Sequence, residues 1–252
     1  MIIRKAAAEI ERMARAGEVV AETLALVGEH ARPGVTTQEL DELADEFIRS
    51  RGGTPTFKGY RGYPASICAS PNEMVVHGIP GLYALRDGDI LSVDVGVTLD
   101  GFVADSAYTF PIGEVSEEAE RLLEGCQVAL AAGIDQCRVG NRLSDISHAI
   151  QVATEEQGFS VVRSLVGHGV GRSMHEEPQI PNYGPAGKGI VLEEGMVLAI
   201  EPMVNAGRHM VRMGDDGWSI FSQDGSLAAH FEFTVAITAE GPRVLTPWHD
   251  AD

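Results

Sequence analysis

The chain has 252 residues, 44% of them hydrophobic and 22% charged, with 19 Lys and Arg against 37 Asp and Glu for a formal charge of −18. That mixture excludes a disordered chain and can fill a core, while the acidic excess argues against direct DNA binding. No run approaches the roughly 18 apolar residues of a membrane span. No secretory signal follows Met1-Ile2-Ile3-Arg4-Lys5, and the odd, widely spaced Cys68, Cys126 and Cys137 suit a reducing cytoplasm.

Ile10, Met13, Gly17, Val20, Leu24 and Val27 recur at helical spacing, and Pro33-Gly34 ends that helix. Thr36 with Glu39 is a capping-box start for a second helix, whose stripe Leu40, Leu43, Phe47 and Ile48 runs to Gly52-Gly53. From about Phe57 to Phe110 the pattern becomes short alternating strands broken by Gly and Pro. A third helix starts near Ser116, with Leu122, Leu123, Cys126, Ala129 and Leu130 inward, and a fourth near Leu143; strands resume after Gly158. The order helix–helix–strands thus occurs twice. Arg32-Pro-Gly34 with Glu39-Leu40 matches Arg138-Val-Gly140 with Asp145-Ile146 at an offset of 106, and Gly88–Asp94 matches Gly195–Glu201 at an offset of 107. These matches predict a duplicated α+β unit, with halves near residues 1–115 and 116–252 fused into a single catalytic domain with a cleft between them.

Leu91, Val93, Val95 and Val97 alternate with Ser92, Asp94, Gly96 and Thr98, and Asp100-Gly101 follows as a two-residue hairpin turn. That turn pairs Leu99 with Phe102 and sets Asp94 opposite Ala107, so Asp94 and Asp105 are diagonal neighbours on one face, roughly 7–8 Å apart. Taken alone, the pair also fits the solvent face of a half-buried hairpin, and a longer turn would change the register. Val197–Val204 is an apolar strand interrupted by Glu201, a costly position for a carboxylate without a partner or metal. Glu232 lies on the polar face of a later strand; by the duplication Glu201 is the counterpart of Asp94 and Glu232 that of Asp105. His168 stands in a loop-like Gly167-His-Gly-Val-Gly171, whose glycines leave the ring accessible. Ion-paired strand acids and a structural histidine are the competing readings. Together the four carboxylates would repel strongly without cations, and two divalent cations balance them. Oxygen-rich ligands with one imidazole suit Mn, Fe, Co or Zn, at the spacing of about 3.5–4 Å found in hydrolytic dimetal sites.

The order Asp94, Asp105, His168, Glu201, Glu232 resembles the dimetal set of the methionine aminopeptidases and their creatinase and prolidase relatives, which share the pita-bread fold. The type 1 pattern, in its short bacterial form, is carried by Tyr60-Arg-Gly-Tyr63-Pro, Asn72-Glu-Met-Val-Val-His77-Gly-Ile-Pro80, Gly88–Asp94, Gly167–Arg172, His175-Glu-Glu-Pro178, Glu201-Pro202 and Trp218-Ser219. The resemblance runs from about residue 5 to 247. It implies two pseudo-symmetric halves around a curved antiparallel sheet, and removal of the initiator methionine from new proteins and peptides. It makes Glu201 both metal ligand and proton shuttle, and gives His175 the substrate carbonyl and His77 the scissile amide or leaving side. Phe57, Tyr60, Tyr63, Cys68, His77, Met174, His175 and Trp218 would receive the methionine. Met174 and Phe57 depart from the commoner Phe and Cys there, and Val103-Ala104 replaces the usual His-Gly before Asp105. A backbone site for a monovalent cation near Asn72 is also implied.

The expected setting is a cytoplasmic monomer acting on N-terminal peptides of nascent chains, with a ribosome-associated role among the family's properties. A small second residue would be required, so the Met1-Ile2 start predicts that this chain keeps its own methionine. The alternatives are an Xaa-Pro peptidase of the prolidase or aminopeptidase P kind, and a pita-bread binding protein without catalysis.

Overall fold

The computed structural model describes residues 2–248; Met1, with the expectation about its retention, lies outside the described residues. Four long helices form where the apolar stripes require them: α1 (Ala7–His30), α2 (Thr37–Ser50), α3 (Glu117–Asp135) and α4 (Leu143–Glu156). The Thr36 hydroxyl accepts from the Glu39 amide at the start of α2 while the Glu39 carboxylate accepts from the Thr36 amide, the reciprocal pairing that the sequence implies. At the start of α4, Asp145 accepts from the Arg142 amide in the same way.

Helices α1 and α2 bury Val20, Leu24, Leu40 and Ile48 against Leu91, Val93, Val95 and Val97 of the Ile90–Leu99 strand. Helices α3 and α4 bury Leu122, Leu130, Ile146 and Ile150 against Leu198, Ile200, Val235 and Ile237. The duplication extends to single backbone bonds. Thr36 bridges Ala84 as Arg142 bridges Val191, and Gly34 N–H donates to Leu85 as Gly140 N–H donates to Leu192.

Both halves are antiparallel. The Ile90–Leu99 strand sits between Ile67–Pro71 and Phe102–Pro111. In the second half five strands lie in the order Gly241–Val244, Phe233–Thr238, Val197–Ile200, Val166–Gly169, Glu176–Pro181. The two sheets meet where Ala107 bridges Glu232, the Glu232 amide donating to the Ala107 carbonyl at 3.0 Å. Each helix pair thus covers the apolar face of one sheet and leaves the opposite faces turned toward a shared centre.

Candidate active site

The Asp100-Gly101 turn has φ of 50° and 77°, the two positive values that a tight hairpin of this length requires, and it fixes Leu99 against Phe102. Asp94 accordingly pairs with Ala107 and Asp105 with Gly96, the diagonal arrangement that the alternation predicts. Asp105 is 4% exposed and Asp94 is half-buried, and both line one cavity.

Glu201 follows the Val197–Ile200 strand, and its register with the opposing chain runs from Ile200↔Phe233 to Met203↔His230. Continuing that register puts Glu201 directly opposite Glu232. This corrects the equivalence expected from the duplication. If Asp94 corresponds to Glu201, then Ala107 corresponds to Glu232, and the residue equivalent to Asp105 is His230. Each of Asp105 and His230 stands two residues before the partner position. The side chains around the junction obey the same relation. Thr234 Oγ1 accepts from the Asp105 amide at 3.0 Å and donates to its carbonyl at 2.8 Å. Thr109 Oγ1 accepts from the His230 amide at 3.0 Å and donates to its carbonyl at 2.8 Å.

His168 belongs to the Val166–Gly169 strand rather than to a loop, and it is 6% exposed. The flanking glycine has a different reason from the one expected: a Cβ on Gly167 would lie 2.5 Å from the Ala199 carbonyl oxygen of the neighbouring strand. The His168 Nδ1–H donates to the Gly169 carbonyl at 2.9 Å, which leaves Nε2 bare toward the acids. Nε2 stands 3.5 Å from Glu201 Oε1 and 3.6 Å from Asp105 Oδ2.

Ligand atoms of Asp105, His168 and Glu232 lie within 4.8 Å of one another. Burial, followed by the charges of the neighbouring acids, raises the carboxyls of Asp94, Glu201 and Glu232 well above the usual carboxylate range, and burial pushes Asp105 up to about 7. Burial also lowers His168 to about 4, so its ring is neutral near neutral pH and able to ligate. Asp94 Oδ1, Asp105 Oδ1 and Glu232 Oε1 are buried without a hydrogen-bond partner among the described residues. Orphaned acceptors among mutually repelling acids, beside a bare imidazole nitrogen, are the donor set a divalent cation neutralises, so these residues fit such an ion.

The cavity has a volume of about 160 Å³. All the sequence-predicted residues reach it: Phe57, Tyr60, Tyr63, Cys68, His77, Met174, His175 and Trp218, together with Asp94, Asp105, His168, Glu201 and Glu232. A cavity of ~150 Å³ admits a benzene-sized group. The Trp218 ring meets Tyr63 edge-on at 5.1 Å, and Phe57 meets Tyr63 edge-on at 6.5 Å. The Phe57 ring rests on Gly96, where a Cβ would lie 2.7 Å from it. His175 Nδ1 pairs with the Tyr60 hydroxyl at 2.9 Å, and the ring stacks on Tyr60 and lies 4.3 Å from the His168 ring. Burial first, and Arg61 next, lower the His175 pKa; burial first, and His175 next, lower that of His77.

Sequence reasoning missed two residues. Arg61 is exposed at the cavity with φ of 50°, its guanidinium 5.3 Å from the Tyr60 ring centre. His230 is 2% exposed, beside Glu201 and Glu232. Alternation puts it on one face with Glu232, and the observed register between the halves gives it its place at the site. Asn72 is held by its side chain, which donates to Asp89 Oδ1 at 2.9 Å, and its carbonyl accepts from the Ala228 amide.

The sequence profile of metallopeptidase family M24 matches residues 11–239. The methionine aminopeptidase of Clostridium perfringens is 54% identical over 246 residues, covering 98% of this chain and 99% of that protein. Methionine aminopeptidase 1 of Bacillus subtilis is 51% identical at the same coverage. The crystal structure of the Rickettsia prowazekii methionine aminopeptidase superposes with a TM-score of 0.97 at 40% identity, over 98% of this chain and 100% of that one. Prolidase from Pyrococcus furiosus shares the fold at a TM-score of 0.80 and 22% identity, over 97% of this chain but 65% of that one. With the pita-bread architecture and the family profile spanning both halves, the chain belongs to metallopeptidase family M24.

Proposed function

We propose that the chain is a metal-dependent aminopeptidase that removes an N-terminal methionine from peptides and nascent proteins when the second residue is small. The observation that carries this reading is the convergence of Asp94, Asp105, His168, Glu201 and Glu232 on a cavity whose other wall is aromatic and sulfur-bearing. Identity above 50% to proteins named methionine aminopeptidase, over nearly the whole chain, supports it.

Those five residues would hold a pair of divalent cations, drawn from Co, Mn, Fe or Zn, which would supply Lewis acidity and lower the pKa of water. The chain's own groups do the rest. Glu201, whose proton affinity is raised by burial and then by the neighbouring acids, takes the proton of the attacking water and returns it to the leaving amine. With its Nδ1 accepting from Tyr60, His175 carries its proton on Nε2 and donates it toward the substrate carbonyl and its tetrahedral successor. His77, kept neutral by burial, faces the scissile amide. Phe57, Tyr60, Tyr63, Cys68, Met174 and Trp218 surround the thioether, whose sulfur contacts ring edges favourably.

Both halves contribute to the cation site, which is why residues 1–252 work as a single catalytic domain. A monovalent cation at Asn72 would use the second lone pair of its carbonyl, the first being taken by Ala228. The enzyme acts as a cytoplasmic monomer. Docking at a ribosome would need a local cationic patch against the overall charge of −18.

Met-Ala-Ser and Xaa-Pro peptides, offered to the protein in Mn(II) buffer, test the reading. Release of free methionine from Met-Ala-Ser, with Met-Ile-Ser left intact, is expected. Cleavage of Xaa-Pro peptides instead, or no turnover of either, would refute it.

A further inference from the structure

His230 is a buried ring at the junction that the chemistry above leaves unused. Its Nε2 has no hydrogen-bond partner among the described residues, and it stands 3.8 Å from Glu201 Oε2 and 4.0 Å from Glu232 Oε2. It is not among the residues that line the cavity, and after burial the group that acts on it most is His77, which does line it. Its backbone is fixed twice over, by the ladder to Met203 and by the Thr109 hydroxyl that spans its amide and carbonyl. The point from which the ring projects is therefore fixed.

The two halves differ at the equivalent position. In the first half Asp105 stands diagonally from Asp94, and both acids reach the cavity. In the second half the acids are directly opposite each other, at Glu201 and Glu232, and the diagonal position carries an imidazole. Directly opposed like charges in a strand pair repel, and in the second half an imidazole stands beside the opposed pair. On Glu201 the two oxygens are flanked by different rings, Oε1 by His168 at 3.5 Å and Oε2 by His230 at 3.8 Å.

Resting on the metal-site reading above, we infer that His230 is a positioning residue: its Nε2–H faces one oxygen of Glu201 and one of Glu232 and sets how both carboxylates meet the cations. A neutral imidazole is suited to this, since it offers one donor to two acceptors without adding a charge. Such outer partners of metal-binding carboxylates typically alter metal affinity by about 10–100-fold when removed.

Calorimetry of Mn(II) binding to the cation-free protein, with the visible spectrum of the Co(II) form, tests this in His230→Leu, His230→Gln and His230→Asn. Glutamine keeps a donor at nearly the reach of Nε2; asparagine falls short, and leucine has none. The expected result is that H230Q stays within about threefold of the unsubstituted protein, while H230L and H230N bind at least one Mn(II) about 10–100-fold more weakly with an altered Co(II) spectrum. Equal affinity and an unchanged spectrum in all three, or equal loss in H230Q and H230N, overturns the inference. Should H230L fail to fold, the contrast between H230Q and H230N decides alone. Absence of Mn(II) binding by the unsubstituted protein is a separate outcome that refutes the site reading and this inference together.

Discussion

The Thr234 hydroxyl closes a two-way clamp on Asp105, accepting from its amide and donating to its carbonyl across the junction of the halves. Thr234 is fully buried, so no water replaces those bonds. Thr234→Val preserves shape but leaves the Asp105 amide and carbonyl without that partner. Each buried group left unpaired costs about 1–3 kcal/mol. We expect the denaturation midpoint of the variant to fall accordingly, with weaker Mn(II) binding because the Asp105 backbone is no longer held. A midpoint and affinity equal to those of the parent would contradict the clamp.

Lys5 reaches the other side of the site through a buried ion pair, its Nζ 2.8 Å from Glu176 Oε2. The same Glu176 accepts from the Arg172 and Ser173 amides, so it anchors the turn that carries Met174 and His175. Removing one partner of a buried pair typically costs about 3–5 kcal/mol. Lys5→Met is therefore expected to destabilise the protein by that order and to lower kcat more than it raises KM, through a displaced His175. Chemical denaturation and steady-state kinetics check both parts.

Cation binding must displace protons from the acids. Asp105 is raised to about 7, and Asp94, Glu201 and Glu232 are raised as well, whereas His168 at about 4 is already deprotonated. Below pH 7 the cation-free site holds protons that binding releases, so affinity should tighten as pH rises from 6 to 8. The sign follows from the raised carboxyls alone; His168 gives no release in this range. Calorimetry in two buffers of different ionisation enthalpy counts the protons. An affinity independent of pH, with no proton release at pH 6, would mean that these acids are already ionised.

The crowding of acids also separates stability from activity. Asp105→Asn removes one charge from a cluster that desolvation and mutual repulsion penalise in the cation-free protein. The cation-free variant is expected to melt no lower than the parent at pH 8, while methionine release falls by several orders of magnitude. Near-normal turnover in metal-defined buffer would show that Asp105 is not a ligand.

Sequence periodicity reveals the first hairpin because Asp100-Gly101 leaves one register available, and the register alone puts Asp94 diagonal to Asp105. The second half offers no such anchor. Glu201 and Glu232 are joined by a long excursion through the Val211–Met213 and Ile220–Ser222 strands, so no tight turn ties them together. That is why sequence alone equates Glu232 with Asp105, and why His230, which alternation puts on one face with Glu232, is not singled out there. The strand through His168 was hidden for another reason. Glycines suggest a loop by propensity, yet Gly167 is there so that a neighbouring backbone can approach. Arg61 was obscured because a left-handed residue between Tyr60 and Gly62 leaves no pattern in the sequence.

The central claim, that side chains from both halves hold catalytic cations, is tested most directly by titrating the chelator-stripped protein with Mn(II) while following methionine release from Met-Ala-Ser. The account predicts no release without metal, release that grows with occupancy, and saturation by two equivalents. Undiminished release after stripping, or full Mn(II) occupancy with no methionine formed, would contradict it.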